Sequence, residues 1–441
     1  MTPTLAEVLP LCDIVVGTEQ EIHIAGGREN TLDALGALRD LSDALLVLKR
    51  GHEGCTVFAA DAIASWQDGI VVPGFDVEVF NTLGAGDGFL AGFLSGWLAH
   101  APLAWCAELG NACGALVVAR HGCTPAMPSR AELERFLARD PAPRRPRTDD
   151  ELVHLHRTTT WQDAPSPLFV LAFDHRRQLE ALAAEAGEPF ERIGRFKELV
   201  ADAMLAVART APRDGRLGII VDDRYGARVL RRFAGSGFWV ARPVEVPGSR
   251  PLELDPRNDI GLRLAGWPAD QVVKCLVFYH PDDELGLRLE QEARLLALWD
   301  DVVALDRRFV LEVILPPQQG ASTESTLARA LRRLYNLGIR PDWWKLEPQT
   351  ADGWSAVCRV IAEHDPQCKG VVLLGLDADE ATLARAFATA RQFPLCRGFA
   401  VGRSIFGAAA REWLAGNIDD ETAVERIAAR YAGMIETWRS P

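Results

Sequence analysis

Between residue 167 and the C-terminus, eight short apolar runs recur at near-regular intervals: "LFVLAFD", "LGIIVD", "GFWVAR", "VVKCLVFYH", "RFVLEVIL", "DWWKLE", "GVVLLGL" and "GFAVGRS". Helical patterns such as "DDELGLRLEQEARLLALWDD" and "STESTLARALRRLYNLG" separate them. Each run has the length of a strand and is apolar on both faces, as in a parallel sheet covered by helices. A doubly wound sheet rarely supplies eight evenly spaced β/α units. The count and the span of residues 167–441 instead predict an α/β fold with a closed C-terminal (β/α)8 TIM barrel.

Three of these runs carry charge where a barrel would bury it. Lysine and arginine total 48, yet lysine occurs only at Lys49, Lys197, Lys274, Lys345 and Lys369. Arginine is thus this chain's ordinary surface cation, and a lysine in mid-strand needs another reason. Strand side chains alternate, so Trp343, Lys345 and Glu347 share one face. Lys274 and Glu312 are likewise mid-strand, and the count puts the three residues on strands four, five and six, side by side. A buried Lys–Glu–Lys cluster is a poor stabiliser, because desolvation offsets what pairing returns. Imine chemistry does want such a cluster. An unprotonated amine must attack a ketone, and a free lysine at about 10.4 is almost wholly protonated at neutral pH. Burial and a second cation both lower an amine's pKa. A carboxylate can then shuttle protons as the carbinolamine loses water.

TIM barrels commonly seat phosphate after strands seven and eight, at a helix N-terminus. "VGRSIF" offers Gly402, Arg403 and Ser404 there, with Gly375 from strand seven, and Arg176 past strand one is a further candidate. No cluster of histidines stands at the strand ends, so no metal is expected.

Residues 1–139 alternate strands and helices. "CDIVVG" and "ALLVLKRG" end in glycine, and "GIVVPGFDVEVF" reads as a pair of short strands. "NTLGAGDGFLAGFLSGWLAH" passes from a glycine turn into a helix. The free amides at Gly84, Ala85 and Gly86 make an anion hole, and Asp87 at its mouth is placed to take a proton from a hydroxyl attacking a γ-phosphate. Residues 140–166 are rich in proline, arginine and polar residues and read as a linker. His154 and His156 within it read as part of a docked strand or turn, without a third metal ligand.

The net charge of -13 disfavours nucleic-acid binding. No apolar run reaches the ~18 residues of a membrane span, and the N-terminus has no basic region of a signal peptide. Nine dispersed cysteines without a C-x-x-C pair point to reduced thiols in a cytoplasm. A homo-oligomer is left open.

Two family resemblances add to this reading. "NTLGAGDGFLAGFL", "VLKRGHEGCTVF", "NACGALVVARHGCTPAMP" and "VVGTEQE" resemble motifs of the ribokinase-like (PfkB) sugar kinases, most of all those acting on 5-dehydro-2-deoxygluconate. The resemblance implies Asp87 as base, Gly84, Ala85 and Gly86 as anion hole, and Gly51, Gly54 and Asn111 at a nucleotide site taking ATP and Mg2+. Thr18 stands in the position of the asparagine of that family's Asn-x-x-Glu motif, with Glu21 retained, and Asn81 stands in that of an aspartate. The likeness covers the family's C-terminal half alone, so kinase activity is not expected of this chain.

"LAFDHR", "IIVDDRYG", "VVKCLVFYHPDD", "FVLEVI", "DWWKLE" and "GFAVGRSIF" resemble, in order, the strand ends of class I aldolase barrels of the tagatose-1,6-bisphosphate, DUF2090-like type. That resemblance implies Lys345 as Schiff-base nucleophile, Glu312 as proton shuttle, Lys274 as the neighbouring amine and Asp174 as a carboxylate beside the imine, with no cofactor. Where that family has a Ser-Ala-Gly turn after strand seven, this chain has "LGLDA". Together the two blocks imply a phosphorylated sugar-acid substrate: cleavage of 6-phospho-5-dehydro-2-deoxy-D-gluconate to dihydroxyacetone phosphate and malonate semialdehyde, in inositol catabolism. The alternatives are a sugar kinase with an accessory barrel and a non-catalytic sugar-phosphate-binding module.

Overall fold

The computed structural model describes residues 3–59, 62–160, 167–210, 215–255, 259–316 and 326–440. The chain forms two compact units, residues 1–162 and 163–441.

In the first unit a helix, Pro3–Val8, leads towards β1 (Ile14–Thr18). β2 (Leu45–Lys49) runs parallel to β1, while β3 (Cys55–Phe58) and β4 (Ile70–Val72) continue the sheet antiparallel. Alternation along β2 explains the two layers beside it. Leu46 and Leu48 pack with Ile22, Leu35 and Leu38 of the helices Glu19–Gly26 and Thr31–Arg39. Val47 faces the other way, onto Phe89, Phe93 and Cys106 of the helices Ala85–Trp97 and Leu103–Val118.

The structure departs from the sequence expectation in two places of the first unit. The stretch "GIVVPGFDVEVF" gives one strand, not two. Beyond Pro73 the backbone leaves the ladder: Glu78 donates to the Arg144 carbonyl, and Phe80 and Asn81 to that of Val118. The stretch 140–166 is not a plain linker either. Asp150–Thr159 is a helix capped by the Asp149 side chain, and Leu152 packs with Leu116, Leu133 and Phe136. His156 lies on that helix, hydrogen-bonded to the Glu132 carboxylate at 3.1 Å and the Pro125 carbonyl at 2.9 Å. Residues 161–166 of that stretch lie outside the described residues.

The second unit is a closed barrel of eight parallel strands: β5 (Leu168–Ala172), β6 (Arg216–Ile220), β7 (Trp239–Pro243), β8 (Gln271–Phe278), β9 (Phe309–Ile314), β10 (Trp343–Leu346), β11 (Gly370–Leu374) and β12 (Cys396–Val401). Each of the eight predicted runs is one of these strands. Of the helical run "STESTLARALRRLYNLG", residues 326–336 form a helix and its first residues lie outside the described set.

Alternation builds two cores. One parity of each strand points outward, as Phe169, Val273, Leu311 and Trp344 do, and joins the surrounding helices. The other parity points into the barrel, where Val170, Trp239, Val272, Val310, Trp343, Val372 and Ala400 form an apolar plug. The next inward positions towards the C-terminal strand ends carry the charges. The site therefore has an apolar floor and walls fixed by the ladders.

Candidate active site

Lys274, Glu312 and Lys345 are those next positions on β8, β9 and β10. Register fixes their spacing, since Lys345 is the ladder partner of Glu312, and Glu312 that of Leu276. The Lys345 ammonium stands 2.9 Å from Glu312, and Lys274 stands 3.0 Å from the other oxygen of the same carboxylate. Asp174, just past β5, reaches Lys274 from across the barrel at 3.2 Å. The four predicted residues are thus one cluster, with Lys274, Glu312 and Lys345 all at most 6 % exposed.

The structure adds two residues that sequence reasoning assigned no role. Glu245, past the end of β7, pairs with Lys274 at 2.6 Å. Extending the inward parity of Trp239 and Ala241 through Pro243 leads to Glu245, so the signal lay beyond the apolar run. His175 follows Asp174, its ring edge-on to Phe406 with centroids 5.6 Å apart.

The electrostatics follow from burial set against neighbours. Burial alone would lower the Lys274 amine, but Asp174, Glu245 and Glu312 outweigh it and hold the amine well above the ordinary lysine value. Burial would raise Glu312, yet Lys274 and Lys345 bring its carboxyl below the usual range. Asp174 is lowered in the same way, burial being overcome by Lys274, His175 and Lys345. Glu245 goes the other way: burial, with repulsion from Asp174, raises it despite Lys274. Burial lowers the His175 imidazole to about 4, against the pull of Asp174.

A cavity of about 420 Å³ opens above the cluster. Its lining includes Asp174, Glu245, Lys274, Glu312 and Lys345, together with the predicted phosphate residues Arg176, Gly375, Gly402, Arg403 and Ser404. The helix Arg403–Leu414 begins at Gly402 with no side chain capping it, so its first amides are left without a side-chain partner beside the cavity. Gly402 has to be glycine, because a Cβ there would come within 2.1 Å of the Ala172 carbonyl and 2.6 Å of the His175 ring. Ser404 donates to the Ala378 carbonyl at 2.9 Å, and Arg403 pairs with Asp377 at 3.1 Å. Leu376 and Asp377 both hold positive φ, 47° and 62°, a strained turn on the cavity rim. Arg176, which lines the same cavity, donates to the Glu245 carbonyl at 2.8 Å.

In the first unit, Gly84 takes φ 83° and starts the helix Ala85–Trp97 with no side-chain cap. Asp87 lies in the helix's first turn, and the Lys49 ammonium is 3.2 Å from where a Cβ on Gly86 would stand. An uncapped N-terminus with an ammonium beside it fits a phosphate group. Gly54 and Asn111 have structural tasks. A Cβ on Gly54 would press to 2.1 Å from the Val72 carbonyl, and the Asn111 amide donates to the Val72 and Pro73 carbonyls at 3.1 and 3.0 Å. Gly51 has φ 59° and open space around it. Thr18 and Glu21 form a capping box at the helix Glu19–Gly26, and the Asn81 amide donates to the Gly122 carbonyl at 3.0 Å. Among the described residues no group of three or more His, Cys, Asp or Glu side chains could hold a metal ion, and no helix is long and apolar enough to cross a membrane.

Residues 1–130 match the pfkB family carbohydrate kinase model. Over 132 residues this part is 30% identical to a 5-dehydro-2-deoxygluconokinase of Geobacillus kaustophilus, covering 29% of this chain and 37% of that protein. It is 33% identical to an ATP-dependent ribose-1-phosphate kinase of Halopiger xanaduensis, covering 30% of this chain and 41% of that protein. A crystal structure of fructokinase from Vibrio cholerae with fructose, ADP and calcium ion aligns at 29% identity, over 30% of this chain and 42% of that one, with a TM-score of 0.27. The chain thus spans about two fifths of the length of these curated relatives. Residues 132–441, well over half the chain, match the model described as "Uncharacterized protein conserved in bacteria (DUF2090)", and the chain belongs to that family, joined to a PfkB-like part.

Proposed function

We propose that the barrel is a class I, Schiff-base aldolase, with Lys345 as its nucleophile. The observation that carries this reading is the buried contact of Lys345 with Glu312 at 2.9 Å, on the floor of a cavity at the C-terminal strand ends. Two lysines compete for the role, and their surroundings separate them. Lys274 is surrounded by three carboxylates that keep it a cation, while Lys345 ion-pairs with Glu312 alone among the described residues. Glu312 bridges both amines, so it is placed to take the proton from Lys345 and to protonate the leaving hydroxyl of the carbinolamine. Lys274 holds Glu312 ionised between turnovers. The resulting iminium withdraws electrons, and the carbon–carbon bond next to it breaks. The amides of the helix Arg403–Leu414, with Arg403 and Ser404, hold a substrate phosphate above Lys345.

The substrate we propose is 6-phospho-5-dehydro-2-deoxy-D-gluconate, cleaved to dihydroxyacetone phosphate and malonate semialdehyde. Its support comes from the first part of the chain, whose relatives include 5-dehydro-2-deoxygluconokinases. A kinase for that sugar acid and an aldolase for its phosphate would act in succession. A second reading, phosphoryl transfer by the first unit, is favoured by the uncapped helix at Ala85 with Asp87 in its first turn. There the amides at Gly84 to Gly86 and Lys49 would hold a nucleotide phosphate, and Asp87 would accept the hydroxyl proton.

The test of the aldolase reading is borohydride reduction in the presence of dihydroxyacetone phosphate, followed by peptide mapping. The expected adduct lies on Lys345. Cleavage that a chelator stops, with no lysine labelled, overturns the imine mechanism.

A further inference from the structure

Beyond its pairing with Lys274, Glu245 has no task in imine formation. From β10 round to β7, Lys345, Glu312, Lys274 and Glu245 stand in a row of alternating charge with contacts of 2.9, 3.0 and 2.6 Å. One Glu245 oxygen is held by Lys274. The other is buried and has no hydrogen-bond partner among the described residues, in a side chain that lines the cavity. The backbone at this position is fixed by an antiparallel bridge to Leu254 and by the Arg176 hydrogen bond to its carbonyl. A rigidly held carboxyl with one unmatched oxygen, 5 % exposed, is expensive to keep unless a ligand group completes it.

We propose that Glu245 is the acid–base group for the hydroxyl on the aldehyde side of the bond that breaks, a role separate from that of Glu312 at the imine nitrogen. The inference rests on the imine reading of Lys345. A substrate joined to Lys345 carries that hydroxyl two carbons beyond the imine carbon, and the row of side chains runs from Lys345 along the wall to Glu245. The hydroxyl proton passes to the free Glu245 oxygen, and the oxygen's electron pair forms the carbonyl of the departing aldehyde. The pair of the broken carbon–carbon bond forms the enamine double bond, and the iminium π pair returns to nitrogen. Glu245 then releases its proton to water, the enamine carbon takes one from water, and hydrolysis of the iminium frees Lys345. No oxidant or further reactant enters. The direction of the carboxyl shifts agrees with this division of work, since Glu245 is raised and so the stronger base, whereas Glu312 and Asp174 are lowered.

The experiment separates imine formation from bond-making, using the full chain. Borohydride labelling of Lys345 with dihydroxyacetone phosphate reads the first. Condensation of dihydroxyacetone phosphate with malonate semialdehyde reads the second. In Glu245→Gln, labelling is expected to match the wild type while kcat for condensation falls by ~10²-fold or more, the usual effect of losing an acid–base group. Glu245→Asp, which keeps the charge beside Lys274 but withdraws the carboxyl by one methylene, is expected to show the same split, and it serves if the glutamine variant does not fold. Condensation within a few-fold of wild type in either folded variant overturns the inference. So does loss of labelling together with condensation at an unchanged melting temperature, because Glu245 would then serve the imine as well. A wild type that is not labelled at all overturns the imine reading, and this inference with it.

Discussion

At the scale of single residues, the cluster makes one lysine a permanent cation and leaves the other with a single partner. Lys345→Arg is expected to abolish both labelling and cleavage, because a guanidinium stays protonated and forms no imine. Lys274→Arg keeps the charge that Asp174, Glu245 and Glu312 surround, so it is expected to be milder. Glu312→Gln is expected to slow imine formation by ~10²-fold. Steady-state cleavage and the rate of borohydride labelling check all three. His175 gives a pH prediction. Burial lowers its imidazole from 6.5 to about 4, so between those values the unfolded chain binds a proton that the folded chain does not. Stability therefore rises with pH through this window and is lost as pH falls from 6.5 towards 4, by up to about 3 kcal/mol at ~1.4 kcal/mol per unit. Denaturant titrations of wild type and His175→Gln at pH 7 and pH 4.5 check it, the variant being expected to lose less stability on acidification. Lys274, Glu312 and Lys345 were legible because strand alternation alone carries them inward. Glu245 was not, because it stands past the end of the apolar run of β7, in a segment held by Arg176, 69 residues away, and by a bridge to Leu254.

At the scale of elements, the barrel strands were legible because apolar runs of strand length between amphipathic helices have few other solutions. The first unit was less so. "DVEVF" has the alternation of a strand, but its amides are taken by Arg144 and Val118 and not by a neighbouring strand. The stretch after Asp140 has a linker's composition, yet one buried carboxylate organises it. Glu132, fully buried on the helix Arg130–Leu137, pairs with Arg120 and with His156 of the helix Asp150–Thr159. Composition cannot reveal this, because the three partners are far apart in sequence. Glu132→Gln would leave the buried Arg120 guanidinium without its carboxylate and loosen the helix that His156 anchors. The expected loss is ~3–5 kcal/mol for breaking a buried pair from one side. It should appear as a lower melting temperature of the first unit, with Lys345 labelling unchanged.

At the scale of the whole molecule, the two units have separate interiors. The clusters of buried apolar residues in the first unit draw on residues up to Leu152, and those of the barrel begin at Leu168. The barrel ladder closes on itself, β12 pairing with β5, so among the described residues the second unit lacks no strand. Every side chain in the proposed mechanism, from Asp174 to Ser404, lies within it. A chain of residues 163–441 alone is therefore expected to fold, to be labelled at Lys345 by borohydride with dihydroxyacetone phosphate, and to cleave substrate with a kcat within about two-fold of the full chain, since domains with their own core generally fold as units. The comparison also bears on the first unit. Asp87 belongs to the first unit and has no role in the proposed cleavage, so Asp87→Asn in the full chain should leave cleavage unchanged. If the isolated barrel folds and is labelled but its KM rises while kcat holds, the first unit contributes to substrate capture. If it folds and is not labelled, the assignment of the chemistry to the barrel alone is wrong.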